Sequence, residues 1–193
     1  MISTAILTSE RKTTIDSIRD GSASMAVQVG LVVGFALLAA LGAQVRLYLW
    51  EVPFTLQTLA VYGSGLFLGW RKGMLSMILY LAIGMFLPVF AGDGFGIAYV
   101  MAAVSSGYLL GFVAASFIIG VLSTRWNSLA GSTLSTVVGS IVLFSFGVTW
   151  LHFAAGHATW MESISKGWLA FIPVDLLKIM TVSLIYTGAR RLK

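Results

Sequence analysis

Trp168-Leu169-Ala170-Phe171-Ile172-Pro173-Val174-Asp175-Leu176-Leu177-Lys178-Ile179-Met180 opens a stretch that stays apolar to Ala189 and reads as a lipid-spanning helix. Asp175 and Lys178 are its only charges. An ionisable side chain at the centre of a bilayer costs about 2.5–3.5 kcal/mol on insertion scales, so its presence there points to function. The three-residue spacing puts both on one helix face, close enough to pair or to share a ligand. Pro173 suits the first turn of a helix, where a missing N–H costs nothing. The alternative is an ion pair that only joins helices.

Outward from this stretch, the whole chain has the same character. Of its 193 residues, 58% are hydrophobic and 10% are charged. Soluble domains carry about 25% charged residues. The fold class expected is therefore all-α integral membrane. Six apolar spans are read at about 21–44, 54–70, 74–90, 97–123, 128–151 and 168–189, forming one membrane domain over 21–193. Residues 1–20 are polar, with Arg11, Lys12, Asp16, Arg19 and Asp20. They form a cytoplasmic tail, either unstructured or a short amphipathic helix on the membrane surface, and they lack the apolar core of a signal peptide. The absence of cysteine excludes disulfides and thiolate chemistry.

The charges orient the spans. With both termini in the cytoplasm, inner segments hold Arg11, Lys12, Arg19, Arg71, Lys72, Arg125, Arg190, Arg191 and Lys193, and outer ones only Arg46 and Lys166. That is a positive-inside bias. It also accounts for the net charge of +5 without nucleic acid. The loops at 45–53, 91–96 and 152–167 then fall outside, as do the first turns of the last helix, so a site built there opens outward.

Several chemistries find no support. There is no phosphate-binding Gly-x-x-x-x-Gly-Lys-Ser/Thr loop, so the chain by itself does not use ATP in that way. His152, His157 and Glu162 recur at five-residue intervals, which is not the spacing that puts two metal ligands on one helix face. A membrane metalloenzyme built on these three is the less favoured alternative. Trp150, Trp160 and Trp168 mark the loop as interfacial. What remains is a binding site. Asp175 offers an acceptor and Lys178 a donor. Gly92, Gly94 and Gly96 allow a loop backbone to approach a ligand. Gln57 lies near the outer end of the second span. Tyr108 and Trp50 supply flat apolar surface with a polar edge. The expected pocket takes a small, partly apolar molecule with a few polar groups.

Small residues at helical spacing mark helix contacts in a membrane. They are Gly30/Gly34, Ala36/Ala40 and Ala39/Ala43 on the first span, Gly107, Gly111 and Ala115 on the fourth, and Gly131, Ser135 and Gly139 on the fifth. With small residues on more than one face, the first span is the best candidate to meet another protein.

Val52-Pro53-Phe54-Thr55-Leu56-Gln57-Thr58, Leu87-Pro88-Val89-Phe90-Ala91-Gly92, Gly107-Tyr108-Leu109-Leu110-Gly111-Phe112 and Asp175-Leu176-Leu177-Lys178 together resemble the BioY family over about residues 26–190. That family comprises the biotin-specific substrate-capture (S) components of energy-coupling factor transporters. The resemblance implies a multi-pass protein of the prokaryotic cell (inner) membrane. It would bind biotin from outside, with Asp175 and Lys178 taking part, and without a cofactor or enzymatic activity. It implies as partners a membrane coupling subunit and two ATPase subunits, docked through Ala36/Ala40 or Ala39/Ala43. An S component for another vitamin and a standalone facilitator are the alternatives. The chain departs from the family at Ala103-Val104-Ser105-Ser106, where Pro-Thr-Gly is common, and at Val174, where Gly is usual. Which end of biotin each charge holds stays open at this point.

Overall fold

The computed structural model describes residues 13–126 and 128–191. The elements follow in order as α1 (Thr14–Asp20), α2 (Met25–Gln44), β1 (Arg46–Leu47), β2 (Phe54–Thr55), α3 (Gln57–Gly84), α4 (Gly96–Ala102), α5 (Ser106–Leu122), α6 (Leu129–Ala154), α7 (Trp160–Gly167) and α8 (Ile172–Arg191), with a 3-10 turn at Leu169–Phe171 before the last. Among the described residues, four helical stretches are long and apolar enough to cross a membrane: Met25–Gln44, Gln57–Gly84, Leu129–Ala154 and Trp160–Arg191. A fifth is added if α4 and α5 count as one bent span. Leu37, Leu41, Leu177, Leu184 and Ile185 stand exposed along them, as a lipid-facing surface requires. The chain is a multi-pass membrane protein.

The run Gln57–Gly84 is not one rod. Gly69 has φ 74 and ψ 179, far from helical values. Beyond it the chain turns back on itself. A side chain built at Gly73 would lie 2.7 Å from the Ser64 carbonyl oxygen, nine positions earlier. The arms 57–68 and 70–84 therefore run antiparallel, and the expected spans 54–70 and 74–90 fall on them. The sequence placed the reversal at Arg71-Lys72-Gly73. It occurs at Gly69 because only glycine tolerates that backbone conformation. The second arm ends at Gly84 rather than Phe90. Pro88 disfavours helix just before it, and Phe90 tucks back against Gly84 with no exposed surface.

The expected span 97–123 is also broken. α4 and α5 meet at 95°. Ala103 is extended, and its carbonyl accepts a hydrogen bond from Trp150 Nε1 at 2.9 Å. That tertiary bond satisfies a backbone group which the helix would otherwise use. α5 then packs closely on α6. A side chain at Gly107 would meet Trp150 Cβ at 2.2 Å, and one at Gly139 would meet Ile119 at 2.3 Å.

Part of the N-terminal tail is ordered structure. Thr13 and Asp16 form a reciprocal cap at the start of α1. Arg19 reaches from α1 into the end of the bundle. It donates to the carbonyls of Leu66 and Gly120, each at 3.1 Å, to the Tyr186 hydroxyl at 2.8 Å and to Ser123 Oγ at 3.0 Å. Asp16 pairs with Arg190 at 2.8 Å, and Lys72 bonds the Ile18 carbonyl. Residues 1–12 lie outside the described residues.

Ala36, Ala39 and Ala43 have no exposed surface, and Ala40 has 9%. That face of α2 packs inward, and at Gly42 a side chain would lie 2.8 Å from the Gln57 backbone nitrogen. The placement does not support docking through these four alanines. The outward face carries Gly30 and Gly34, and among the described residues no neighbour lies within 4 Å of a side chain built at either.

Candidate ligand-binding site

The end of the bundle opposite Arg19 holds a narrow cavity with an open mouth. Its polar wall is Thr55, Gln57, Thr58, Ser105, Asp175 and Lys178. Tyr108, Phe112, Leu143, Phe144 and Phe171 supply apolar lining. Val52 and Pro53 come from the loop between β1 and β2, and Ala91 and Tyr99 from the segment around the start of α4.

The polar wall is built from helix starts. Lys178 sits one turn below Asp175 on α8, and its side chain leans toward the helix N-terminus, as helical side chains do. There Nζ donates to the Thr55 carbonyl at 2.6 Å and to Thr58 Oγ1 at 3.0 Å. Asp175 accepts from the Tyr62 hydroxyl at 2.6 Å on one oxygen and from Ser140 Oγ at 2.5 Å on the other. The two charges do not pair directly among the described residues; each has its own partners. An ammonium has three donors and a carboxylate about four acceptor sites. Lys178 therefore keeps a hydrogen to give, and each Asp175 oxygen can still accept.

Gln57 is fixed at both ends of its amide. Oε1 accepts from Thr55 Oγ1 at 2.9 Å, and Nε2 donates to the Tyr80 hydroxyl at 2.6 Å. Tyr80 in turn donates to the Val89 carbonyl at 3.3 Å. The Tyr108 ring lines the cavity while its hydroxyl donates to the Gly167 carbonyl at 2.7 Å, so its polar edge holds α7. The lining rings Tyr108, Phe144 and Phe171 are backed by Phe54 and Trp168, which lie outside the lining. Phe54 stacks on Phe171 at 4.1 Å between centroids, and Phe144 contacts Phe171, Tyr108 and Trp168.

The structure brings Asp175, Lys178, Gln57 and Tyr108 to one cavity. Gly92 and Gly94 lie outside its lining. Gly92 is left-handed (φ 77), and Gly94 leaves room for the Tyr99 ring, which would otherwise lie 2.2 Å away. Trp50 is exposed and also outside. Sequence reasoning missed Tyr62, Ser140, Thr55 and Thr58. Thr58 and Tyr62 are four residues apart, and this polar stripe on the second span was the available signal.

The loops at this end of the bundle are tied together. Arg46 pairs with Asp93 at 2.9 Å, and Lys166 bridges Glu51 at 3.0 Å and Glu162 at 2.9 Å. His152 and His157 both turn Nδ1 to Ser163 Oγ, at 2.9 and 3.0 Å. Among the described residues no cluster of metal-ligating side chains is present.

The family model for BioY matches residues 12–193. The biotin transporter BioY of Thermotoga maritima is 35% identical over 160 residues, covering 82% of this chain and 93% of that protein. The probable biotin transporter BioY of Pyrococcus horikoshii is 34% identical over 161 residues, covering 83% and 94%. A crystal structure of the S-component for biotin from an ECF-type ABC transporter superposes with a TM-score of 0.78 at 22% identity, over 89% of this chain and 96% of that one, and so shares the fold. The chain belongs to the BioY family, whose members are membrane transport components rather than enzymes.

Proposed function

We propose that this protein is the biotin-binding S component of an energy-coupling factor importer in a prokaryotic cell membrane. The single observation that carries the reading is one cavity lined both by the charged groups Asp175 and Lys178 and by the rings of Tyr108, Phe144 and Phe171. Biotin is matched in chemistry: a ureido ring with two N–H donors and one carbonyl, an apolar thioether body and a carboxylate tail. Asp175 and Lys178 hold its polar groups, and Tyr108, Phe144 and Phe171 cover its body. Gln57 braces the site by fixing Thr55. Gly92 and Gly94 contribute by shaping the loop beside Ala91.

The chain crosses the membrane six times, with the two arms of α3 as separate crossings and α4 lying across the outer end. Arg19, Arg71, Lys72 and Arg190 mark the cytoplasmic side, so the cavity opens outward. Uptake is driven by a coupling subunit with two ATPase subunits. The relatives named as biotin transporters and the S-component fold support this reading.

The deciding experiment is a biotin titration of the purified protein, read as thermal stabilisation. A ligand at 1,000 times its Kd stabilises by about 4 kcal/mol. Asp175→Asn and Lys178→Ala abolish the shift while leaving a cooperative unfolding transition. No biotin-dependent shift in the wild type overturns the reading, and a shift with a different vitamin reassigns the ligand.

A further inference from the structure

We infer that Tyr62 and Ser140, which do not line the cavity, are the positioning residues that set its ligand specificity. They lock Asp175 as a pure hydrogen-bond acceptor. The inference rests on the proposed function and deepens it.

Asp175 belongs to α8, Tyr62 to the first arm of α3 and Ser140 to α6. The carboxylate therefore joins three helices. Tyr62 has no exposed surface and Ser140 has 5%, so both stand behind Asp175 as seen from the cavity. Each hydroxyl carries one hydrogen, and each gives it to a different oxygen of Asp175. Hydrogen bonds to a charged group are the strong ones, and two of them fix the plane of the carboxylate.

Two consequences follow. The carboxylate cannot turn away from the cavity without breaking one of these bonds. Its remaining acceptor capacity also faces the ligand, so whatever meets it must bring an N–H or O–H. A carbonyl or carboxylate placed there would leave acceptors facing each other in a buried site, a costly arrangement. Lys178, one turn away and tied to Thr55 and Thr58, presents a donor. The wall thus reads an acceptor beside a donor. The complement is a donor beside an acceptor in one compact group, as in a cyclic urea. A ligand tail bearing only a carboxylate fits the Lys178 side and is rejected by the Asp175 side.

The test uses the full chain, with biotin and a cyclic carbamate analogue in which a ring oxygen replaces one ureido N–H. Tyr62→Phe removes one donor to Asp175 and keeps the ring. We expect biotin affinity to fall about tenfold, the scale of one charge-assisted hydrogen bond, with little change for the analogue, so that discrimination between the two collapses. Ser140→Ala acts in the same direction, and Ser140→Thr restores discrimination. Equal weakening of both ligands, or no change in either, overturns the inference. Infrared difference spectra of ligand-free protein, assigned with Asp175→Asn, give a readout independent of biotin. The Asp175 carboxylate stretch shifts in Tyr62→Phe and Ser140→Ala, and an unshifted band overturns the inference. A wild type that shows the shifted bands in its variants but binds no biotin overturns the functional reading alone.

Discussion

Gln57 and Tyr80 are 23 positions apart in sequence, yet Gln57 Nε2 donates to the Tyr80 hydroxyl at 2.6 Å. A straight helix at 1.5 Å per residue would separate them by about 35 Å. The contact closes the two arms of α3 at the cavity end, and Gly69 closes them at the other. Because Gln57 also lines the cavity, the hairpin sets the position of the polar wall.

The first prediction concerns that reversal. Gly69 lies in a region of backbone space that is nearly exclusive to glycine, where other residues cost about 1–3 kcal/mol. There is room for a methyl group, since its nearest neighbour would be Arg19 Nε at 3.5 Å. Gly69→Ala should therefore lose about that amount through backbone strain alone. Thermal unfolding in detergent checks it, and an unchanged midpoint would show that the turn is not strained for alanine.

Arg19 yields the second. Its guanidinium spans two carbonyls on different helices and two hydroxyls, a geometry that a lysine ammonium cannot reproduce. Leaving a buried acceptor without a partner costs about 1–3 kcal/mol. Arg19→Lys and Arg19→Ala should be comparably destabilising, with hydrogen exchange of residues 14–20 accelerated in both. A lysine variant that matches wild-type exchange would refute the planar-fork account.

The charged pair proposed to hold the ligand stood out in the sequence because lipid makes charge conspicuous; Asp175 and Lys178 needed no context. Their supports did not stand out. Tyr62 lies 113 positions from Asp175, and a tyrosine or serine hydroxyl in a span has the same appearance whether it packs or positions. The break between α4 and α5 was hidden for a similar reason. Residues 97–123 carry no charge and no proline, and it is a distant Trp150 that takes the Ala103 carbonyl at the break. Gly92 and Gly94 were read as room for a ligand, whereas Gly94 gives that room to Tyr99. Gly73 was read as part of the turn, but it lies against Ser64 and Ser116 where the α3 arms and α5 converge.

The loop that carries Val52 and Pro53 supplies the third prediction. Val52, Pro53 and Thr55 line the cavity, and the loop that carries them is held by Glu51 on Lys166. A hydrogen bond from its own backbone N–H, then the Lys166 ammonium, holds the Glu51 carboxyl below the usual value of 4.5. A lowered folded value means that the pin contributes fully above the ordinary carboxylate range and is lost as pH falls through the lowered value. Biotin dissociation should stay flat from neutral pH down to about 4.5 and quicken below it. Glu51→Gln should quicken it at neutral pH by about fivefold at most, as befits an exposed pair of about 0.2–1 kcal/mol. An onset well above pH 4.5 would show that protonation of Glu51 is not what frees the loop.

The last prediction separates packing glycines from open ones. A methyl group at Gly147 would lie 2.2 Å from the Tyr108 ring. That ring cannot swing aside freely, because its hydroxyl is held by the Gly167 carbonyl at 2.7 Å. Overpacking of this kind costs about 1–3 kcal/mol. Since Tyr108 lines the cavity, Gly147→Ala should weaken biotin binding as well as lower the unfolding midpoint. Gly34 has open space around it, so Gly34→Ala should change stability by no more than about 0.5 kcal/mol. Thermal midpoints and biotin titrations of the two variants measured side by side decide the matter. Equal effects on stability would mean that Tyr108 yields to the added methyl, and full biotin affinity in Gly147→Ala would remove the ring from the binding wall.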